Sequence, residues 1–230
     1  MIDKSLAAKA DIIIVAAGSG LRFGTQKQLA SLAGRSMYLH SVDCFLQHPL
    51  VGRIVIVVSE ELKPIVASTI NERIEIVDGG ATRQQSVLNG IRALSIKDQS
   101  DIILVHDAAR PCINERIISE VIIACEEYDA ALAALPVTDT IKRAEKELAV
   151  STIPREGLWR AQTPQGARKE FLIKAYETAN QDGFTATDES QLLERIGIFP
   201  KLVIGDEMNL KVTYPEDLTR LDLYLSGISA

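Results

Sequence analysis

A glycine-rich turn, two cations just past it and an aspartate closing a later apolar run are the residues here whose types and spacing could do chemistry. The turn lies in DIIIVAAGSGLRFGTQKQ, where Gly18 and Gly20 follow an apolar block and Arg22 and Lys27 come next. Glycine tolerates positive φ and lacks the Cβ that would hold a ligand away, and the amides of such a turn can form an anion-binding concavity. Arg22 offers a planar fork of donors and Lys27 a compact charge. Taken locally, both read equally well as solvated surface residues. Two familiar phosphate motifs do not fit. The dinucleotide fingerprint fails because Phe23 stands where its third glycine belongs and Gly24 comes one residue late. No frame satisfies the NTPase phosphate loop.

Three further stretches belong with that turn. HDAARP (residues 106–111) ends an apolar run, so Asp107 is placed either to hold Mg²⁺, which favours carboxylate and phosphate oxygens, or to cap a turn. His106 reads as a packed residue, because no second ligand makes a transition-metal set with it. DGGATRQQS (residues 78–86) sets paired glycines before a helix start, where backbone groups could reach a ligand, although Gly-Gly is also an ordinary turn signal. NLKVT (residues 209–213) carries Lys211, which in isolation is a surface lysine and in company could complete a cationic ring.

These residues must be positioned by a frame, and short β-branched runs alternating with helical patterns supply one. The runs cover residues 11–17, 53–59, 73–79, 101–107 and 130–137. Their nearly unbroken apolar character predicts strands covered on both faces, hence an α/β fold with a mostly parallel sheet and flanking helices. Val87, Leu88, Ile91 and Leu94 recur at helical spacing, as do Ile117, Ile118, Val121, Ile122 and Cys125 with Asn114 as N-cap. Thr213 and Glu216 are spaced as a capping box around Pro215, followed by a stripe of Leu218, Leu221 and Leu225. Residues 137–164 break the rhythm, being polar and carrying the sole tryptophan, Trp159. A projecting β-hairpin or arm is expected there, since so long an irregular stretch is usually functional or an interface.

The bulk numbers restrict the function. At 230 residues, 47% hydrophobic and 24% charged, the chain suits a single α/β domain spanning 1–230. A net charge of −6 argues against a nucleic-acid partner and makes local cation clusters informative. Cys44, Cys112 and Cys125 are odd in number and scattered, which fits a reducing compartment. With no signal-like or membrane-spanning run, a cytoplasmic location and no membrane partner are expected. Nothing in the sequence orders a Ser-His-Asp set, paired acids or CxxC for covalent or hydrolytic chemistry.

Taken together and in order, AAGSGLRFG, KQ, DGG…RQQSV, VHDAARP, DTIKR, REGLW, TPQ, TDES and NLKVT resemble the 2-C-methyl-D-erythritol 4-phosphate cytidylyltransferase family along nearly the whole chain. The resemblance implies a Rossmann-like nucleotidyltransferase fold with a projecting β-arm. It implies transfer from CTP to methylerythritol phosphate, with Mg²⁺, in non-mevalonate isoprenoid synthesis. Catalytic roles fall to Arg22, Lys27, Arg155 and Lys211, with Arg22 and Lys27 stabilising charge on the α-phosphate. CTP is held around Ala16, Ala17, Gly18, Gly80, Ala81 and Ser86, and the sugar phosphate by Thr140, Arg155, Thr163 and Lys211. Asp107 places the metal. The family's arm, here near 137–164, is exchanged across a homodimer, so Thr140 and Arg155 are expected to serve a neighbouring subunit. Ala81 stands where the family often has an acid contacting cytosine, Gln26 where it has proline, and Met208 where it often has aspartate. Two alternatives remain open: a cytidylyltransferase for another polyol phosphate such as ribitol 5-phosphate, and a nucleotide-binding domain without turnover. Whether the chain stands alone or is half of a fused enzyme is also open.

Overall fold

The structure is a computed structural model and describes residues 9–18, 27–69, 71–95 and 100–227. In chain order its elements are β1 (Ala10–Val15), β2 (Ser31–Leu32), β3 (Arg35–Ser36), α1 (Met37–Gln47), β4 (Val51–Val58), α2 (Lys63–Val66), β5 (Ile74–Asp78), α3 (Arg83–Ser95), β6 (Ile102–Asp107) and α4 (Glu115–Tyr128). They continue with β7 (Ala130–Pro136), β8 (Ile141–Glu145), β9 (Leu148–Ile153), β10 (Trp159–Arg168), α5 (Lys169–Gln181), α6 (Glu189–Arg195), β11 (Lys201–Ile204) and α7 (Pro215–Leu225).

Seven strands form one sheet in the order β11-β7-β10-β6-β1-β4-β5. β1 lies parallel to β4 and β6, β4 to β5, and β11 to β7. The alternation of side chains along each strand divides the core into two layers. Ile12, Ile14, Ile54, Ile56, Ile102 and Leu104 face α1 and α4 on one side. Ile13, Val55, Val57, Ile103 and Val105 face α3, α5 and α6 on the other. Each such side chain fully removed from water contributes about 1.5–3 kcal/mol, which is why near-continuous apolar runs specify these strands. A third, smaller cluster of Leu32, Met37, Ala109, Cys112, Val212 and Leu221 lies under α7.

The five predicted strands all join this sheet. α3 and α4 occupy the expected stripes, with Asn114 Oδ1 accepting the Ile117 amide at 3.1 Å. Two strands are additions. β10 runs antiparallel to both β6 and β7, and its sequence WRAQTPQGAR shows no β-branched run. Gly166 is what admits it: a Cβ there would stand 2.2 Å from Leu104 Cδ2 and 2.8 Å from the Ile103 carbonyl. Pro164, which has no N–H for a ladder, falls in the register break between Ala161 and Gln165. The expected irregular stretch 137–164 is therefore shorter. Its centre is the β8–β9 hairpin, and from Trp159 the chain belongs to the main sheet.

The cap of α7 also differs by one residue from expectation. Pro215 occupies the first turn, Tyr214 is the N-cap, and the Asp217 carboxylate accepts the amides of Thr213 (2.7 Å) and Tyr214 (2.9 Å). The Thr213 hydroxyl instead donates to the Lys211 carbonyl. Leu221 is buried as the stripe requires, whereas Leu225 is exposed.

Candidate active site

The carboxyl ends of β1 and β6 lie side by side, with Val15 opposite Asp107. A cavity of about 360 Å³ opens there, in the size range of small-molecule sites. Parallel strands that end together beside helix starts expose the turns between them, which is where open α/β sheets take ligands.

Each wall has a local cause. After β1 the chain leaves the sheet at Ala16–Gly18, and Gln28 holds this segment from behind: its Nε2 donates to the carbonyls of Ala16 (2.9 Å) and Gly18 (2.6 Å). After β5 the glycine pair meets α3, where Ser86 Oγ accepts the Gly80 amide (3.0 Å) and donates to the Thr82 carbonyl (2.9 Å). Gly80 and Gln85 approach so closely that a Cβ on Gly80 would stand 2.1 Å from Gln85 Cγ. NLKVT is pinned against HDAARP. The Val212 amide donates to the Ala109 carbonyl (2.8 Å), and Arg110 Nη1 donates to the Asn209 carbonyl (2.8 Å). Asn209 Nδ2, fully buried, donates to the Thr163 carbonyl at 2.8 Å. This lacing carries Lys211 to the cavity from the far end of the sequence.

Asp107 is the acidic residue of the cavity lining. Its Oδ2 accepts Lys211 Nζ at 2.7 Å, its Oδ1 accepts Arg83 Nε at 3.1 Å, and Arg110 Nε lies 4.0 Å from Oδ2. Burial alone would raise the carboxyl pKa, but Arg83 and then Lys211 hold it well below the usual carboxylate range. Lys27 lines the same cavity and donates from Nζ to the Val212 carbonyl at 3.0 Å. Beneath Asp107 sits a buried relay. The Asp107 amide donates to Thr163 Oγ1 (3.1 Å), which lies 3.0 Å from His106 Nδ1, while His106 Nε2 lies 3.1 Å from the Arg110 carbonyl. Burial pushes His106 down to about 4, so the ring is neutral. It donates from Nε2 and accepts the Thr163 hydroxyl proton at Nδ1.

The cavity thus brings together Ala17, Gly18, Lys27, Gly80, Ala81, Ser86, Asp107 and Lys211 from the sequence reading. Ala16 lies behind the wall, with its carbonyl on Gln28, and Thr163 lies one layer below Asp107. Arg22 falls outside the described residues. Thr140 and Arg155 are exposed beside the β8–β9 hairpin and do not line this cavity, with Arg155 donating to the Thr138 carbonyl. Arg83, Arg110 and Gln28 went unassigned from sequence. The available signals were an arginine opening a helix after paired glycines, an arginine three residues past Asp107, and a glutamine beside Lys27.

A mostly parallel sheet with a cation-lined cavity at the carboxyl ends of its strands, bordered by Gly18 and Gly80, defines an α/β nucleotidyltransferase. The family model for 2-C-methyl-D-erythritol 4-phosphate cytidylyltransferase matches residues 10–227. A protein of that name from Haemophilus influenzae is 41% identical over 217 residues, covering 93% of this chain and 95% of its own length. A bifunctional enzyme IspD/IspF from Desulfotalea psychrophila is 42% identical over 221 residues, where the match takes in 93% of this chain and 56% of that longer protein. The crystal structure of a 4-diphosphocytidyl-2C-methyl-D-erythritol synthase from Anaerococcus prevotii superimposes with a TM-score of 0.83 at 29% identity, covering 95% of this chain and 96% of that one. The chain belongs to the 2-C-methyl-D-erythritol 4-phosphate cytidylyltransferase family.

Proposed function

We propose that this chain transfers the cytidylyl group of CTP to 2-C-methyl-D-erythritol 4-phosphate, giving 4-diphosphocytidyl-2-C-methyl-D-erythritol and pyrophosphate. An oxygen of the sugar phosphate attacks the α-phosphorus of CTP, and the bond from that phosphorus to the bridging oxygen breaks, releasing pyrophosphate. The observation that carries this reading is the meeting of Lys27, Arg83 and Lys211 with Asp107 on the wall of one cavity, with Arg110 Nε 4.0 Å from Asp107 Oδ2. A phosphate monoester is largely dianionic at neutral pH, its second pKa being about 6, so the nucleophile needs no general base. The obstacle is charge: two unit charges 4 Å apart repel by about 4 kcal/mol at an effective dielectric near 20. Fixed cations offset that repulsion most as the new bond forms, which is how phosphoryl-type transfers are catalysed.

Mg²⁺ belongs to the same proposal. Among the described residues no group of three or more His, Cys, Asp or Glu forms a metal cage. A lone cavity carboxylate, Asp107, nevertheless suits an ion that is commonly held by one or two carboxylates and the substrate's own phosphates. When bound, it would supply further positive charge to the triphosphate oxygens.

The β8–β9 hairpin supports a homodimer. Leu148 is 71% exposed and Val150 49%, an apolar pair left in water. Thr140 and Arg155 flank that hairpin outside the cavity of their own chain, where they could serve a second copy's sugar-phosphate site. A cytoplasmic location fits three cysteines without a disulfide among them, and no described helix is long and apolar enough to cross a membrane.

The test is a panel of polyol phosphates offered with CTP and Mg²⁺ and read by pyrophosphate release. Methylerythritol phosphate should be the preferred acceptor. Faster release with ribitol 5-phosphate would transfer the reading to another polyol, and CTP binding without pyrophosphate release for any acceptor would leave a binding domain.

A further inference from the structure

TDES and TPQ find no role in the cavity lining, yet the structure ties both to Asp107. Glu189 is completely buried and receives Arg83 through both carboxylate oxygens, Nη1 to Oε1 at 2.7 Å and Nη2 to Oε2 at 3.0 Å. The third edge of the same guanidinium, Nε, donates to Asp107 Oδ1 at 3.1 Å. The Tyr176 hydroxyl donates to Glu189 Oε1 at 2.9 Å. We propose that Glu189 is a positioning residue for the transfer, acting through Arg83 to hold the Asp107 carboxylate in its cavity-facing orientation.

A two-toothed carboxylate contact fixes both the position and the plane of a guanidinium, which a single contact cannot do. With Nη1 and Nη2 seated on Glu189, Nε can point in one direction only, and Asp107 lies along it. Charge leads to the same assignment. Arg83 reaches from α3 between two buried acids, so Glu189 takes up charge that would otherwise fall wholly on Asp107. Lys211 already occupies the other oxygen of Asp107. Without Glu189, Asp107 would face an unshared arginine as well as Lys211, and would be drawn away from any cation arriving with the nucleotide. Although burial opposes the charge of Arg83, Glu189 and then Asp107 hold its pKa well above the ordinary range.

Glu189 is itself placed by the other unabsorbed motif. Asp188 caps α6 by accepting the Gln191 amide (3.1 Å). Gln165 of β10 donates from Nε2 to Asp188 Oδ2 (3.1 Å) and accepts the Ser190 amide at Oε1 (3.0 Å). The helix start bearing Glu189 is thus locked to the strand beside β6, which bears Asp107.

The proposal rests on Asp107 taking part in the reaction, so the test carries a control for that. Glu189→Gln keeps the volume and an acceptor for Tyr176 but removes the charge. It should lower kcat about tenfold, the lower end of what outer-shell partners contribute, with the KM values for CTP and the sugar phosphate within about threefold. Arg83→Lys should act alike, and the double variant should be little worse than the weaker single, because residues acting as one unit are not additive. A Glu189→Gln protein with unchanged kcat, or independent effects in the double variant, overturns the proposal. Should Glu189→Gln fail to fold, Tyr176→Phe and Arg83→Lys with their double variant carry the same coupling test, and additivity there overturns it equally. Asp107→Asn separates the two readings. If it keeps full turnover, the site assignment fails and the positioning role with it; if it loses turnover while Glu189→Gln does not, the positioning role alone fails.

Discussion

Lys27 and Asp107 illustrate what a residue contributes when its surroundings choose its partner. In sequence Lys27 could equally be a solvated lysine. In the structure its ammonium meets the Val212 carbonyl beside Lys211, on the wall of the cavity that Asp107 shares. Lys27→Ala should therefore reduce turnover by about two orders of magnitude or more, the scale for one charge-stabilising donor, while CTP affinity falls less. Steady-state kinetics with a separate nucleotide titration measure this; near-normal turnover would remove Lys27 from the chemistry. The cysteines make the opposite case. Burial, with Glu115 and Asp43 nearby, pushes the Cys44 thiol up to about 11, and burial lifts Cys112 and Cys125 to about 12. A thiol raised two units is about a hundredfold poorer in thiolate at pH 8. Iodoacetamide at pH 8 should alkylate the folded protein about a hundredfold more slowly than the unfolded chain, with activity retained and the rate climbing as pH approaches 11. Rapid labelling with loss of turnover would place a thiol in the mechanism.

Elements decided how far the sequence could be read. The inner strands were legible because each is buried on both faces, and β-branched apolar runs have few other uses. α4 was legible because Asn114 caps it and its stripe is regular. β10 was not: its pairing is set by neighbours on both sides, and its key residue is the absence of a side chain at Gly166. Gly166→Ala should cost about 1–3 kcal/mol, as overpacking does, and lower Tm with no change in KM for protein that remains folded. A Tm equal to that of the parent would mean the β10–β6 contact is looser than 2.2 Å implies. Arg83 escaped notice for a different reason. An arginine at a helix start looks like surface, and only the fold brings Glu189, 106 positions away, onto the same guanidinium. Lys211 joins Asp107 across 104 positions in the same way. Motif order hinted at these meetings, and the sheet topology makes them.

On the scale of the molecule, a chain with net charge −6 sets three cations, Lys27, Arg83 and Lys211, on the wall of one cavity. Dispersed, those residues would give weak, screened pairs; at the carboxyl ends of β1 and β6 they line one cavity. The hairpin extends this argument beyond one chain. Leu148→Asp together with Val150→Asp should shift the protein toward monomer in light scattering and raise KM for the sugar phosphate, and Arg155→Ala should raise that KM without dissociating the assembly. A monomeric parent protein, or an Arg155→Ala variant that instead loses CTP affinity, would contradict the shared site.

The most direct measurement is a crystal structure with CTP and Mg²⁺ bound. It should show the α-phosphate within about 3 Å of the Lys27 ammonium, at charge-assisted hydrogen-bond distance, with Asp107 turned to the metal. A triphosphate seated away from Lys27, Asp107 and Lys211, with those side chains keeping only one another, would contradict the account.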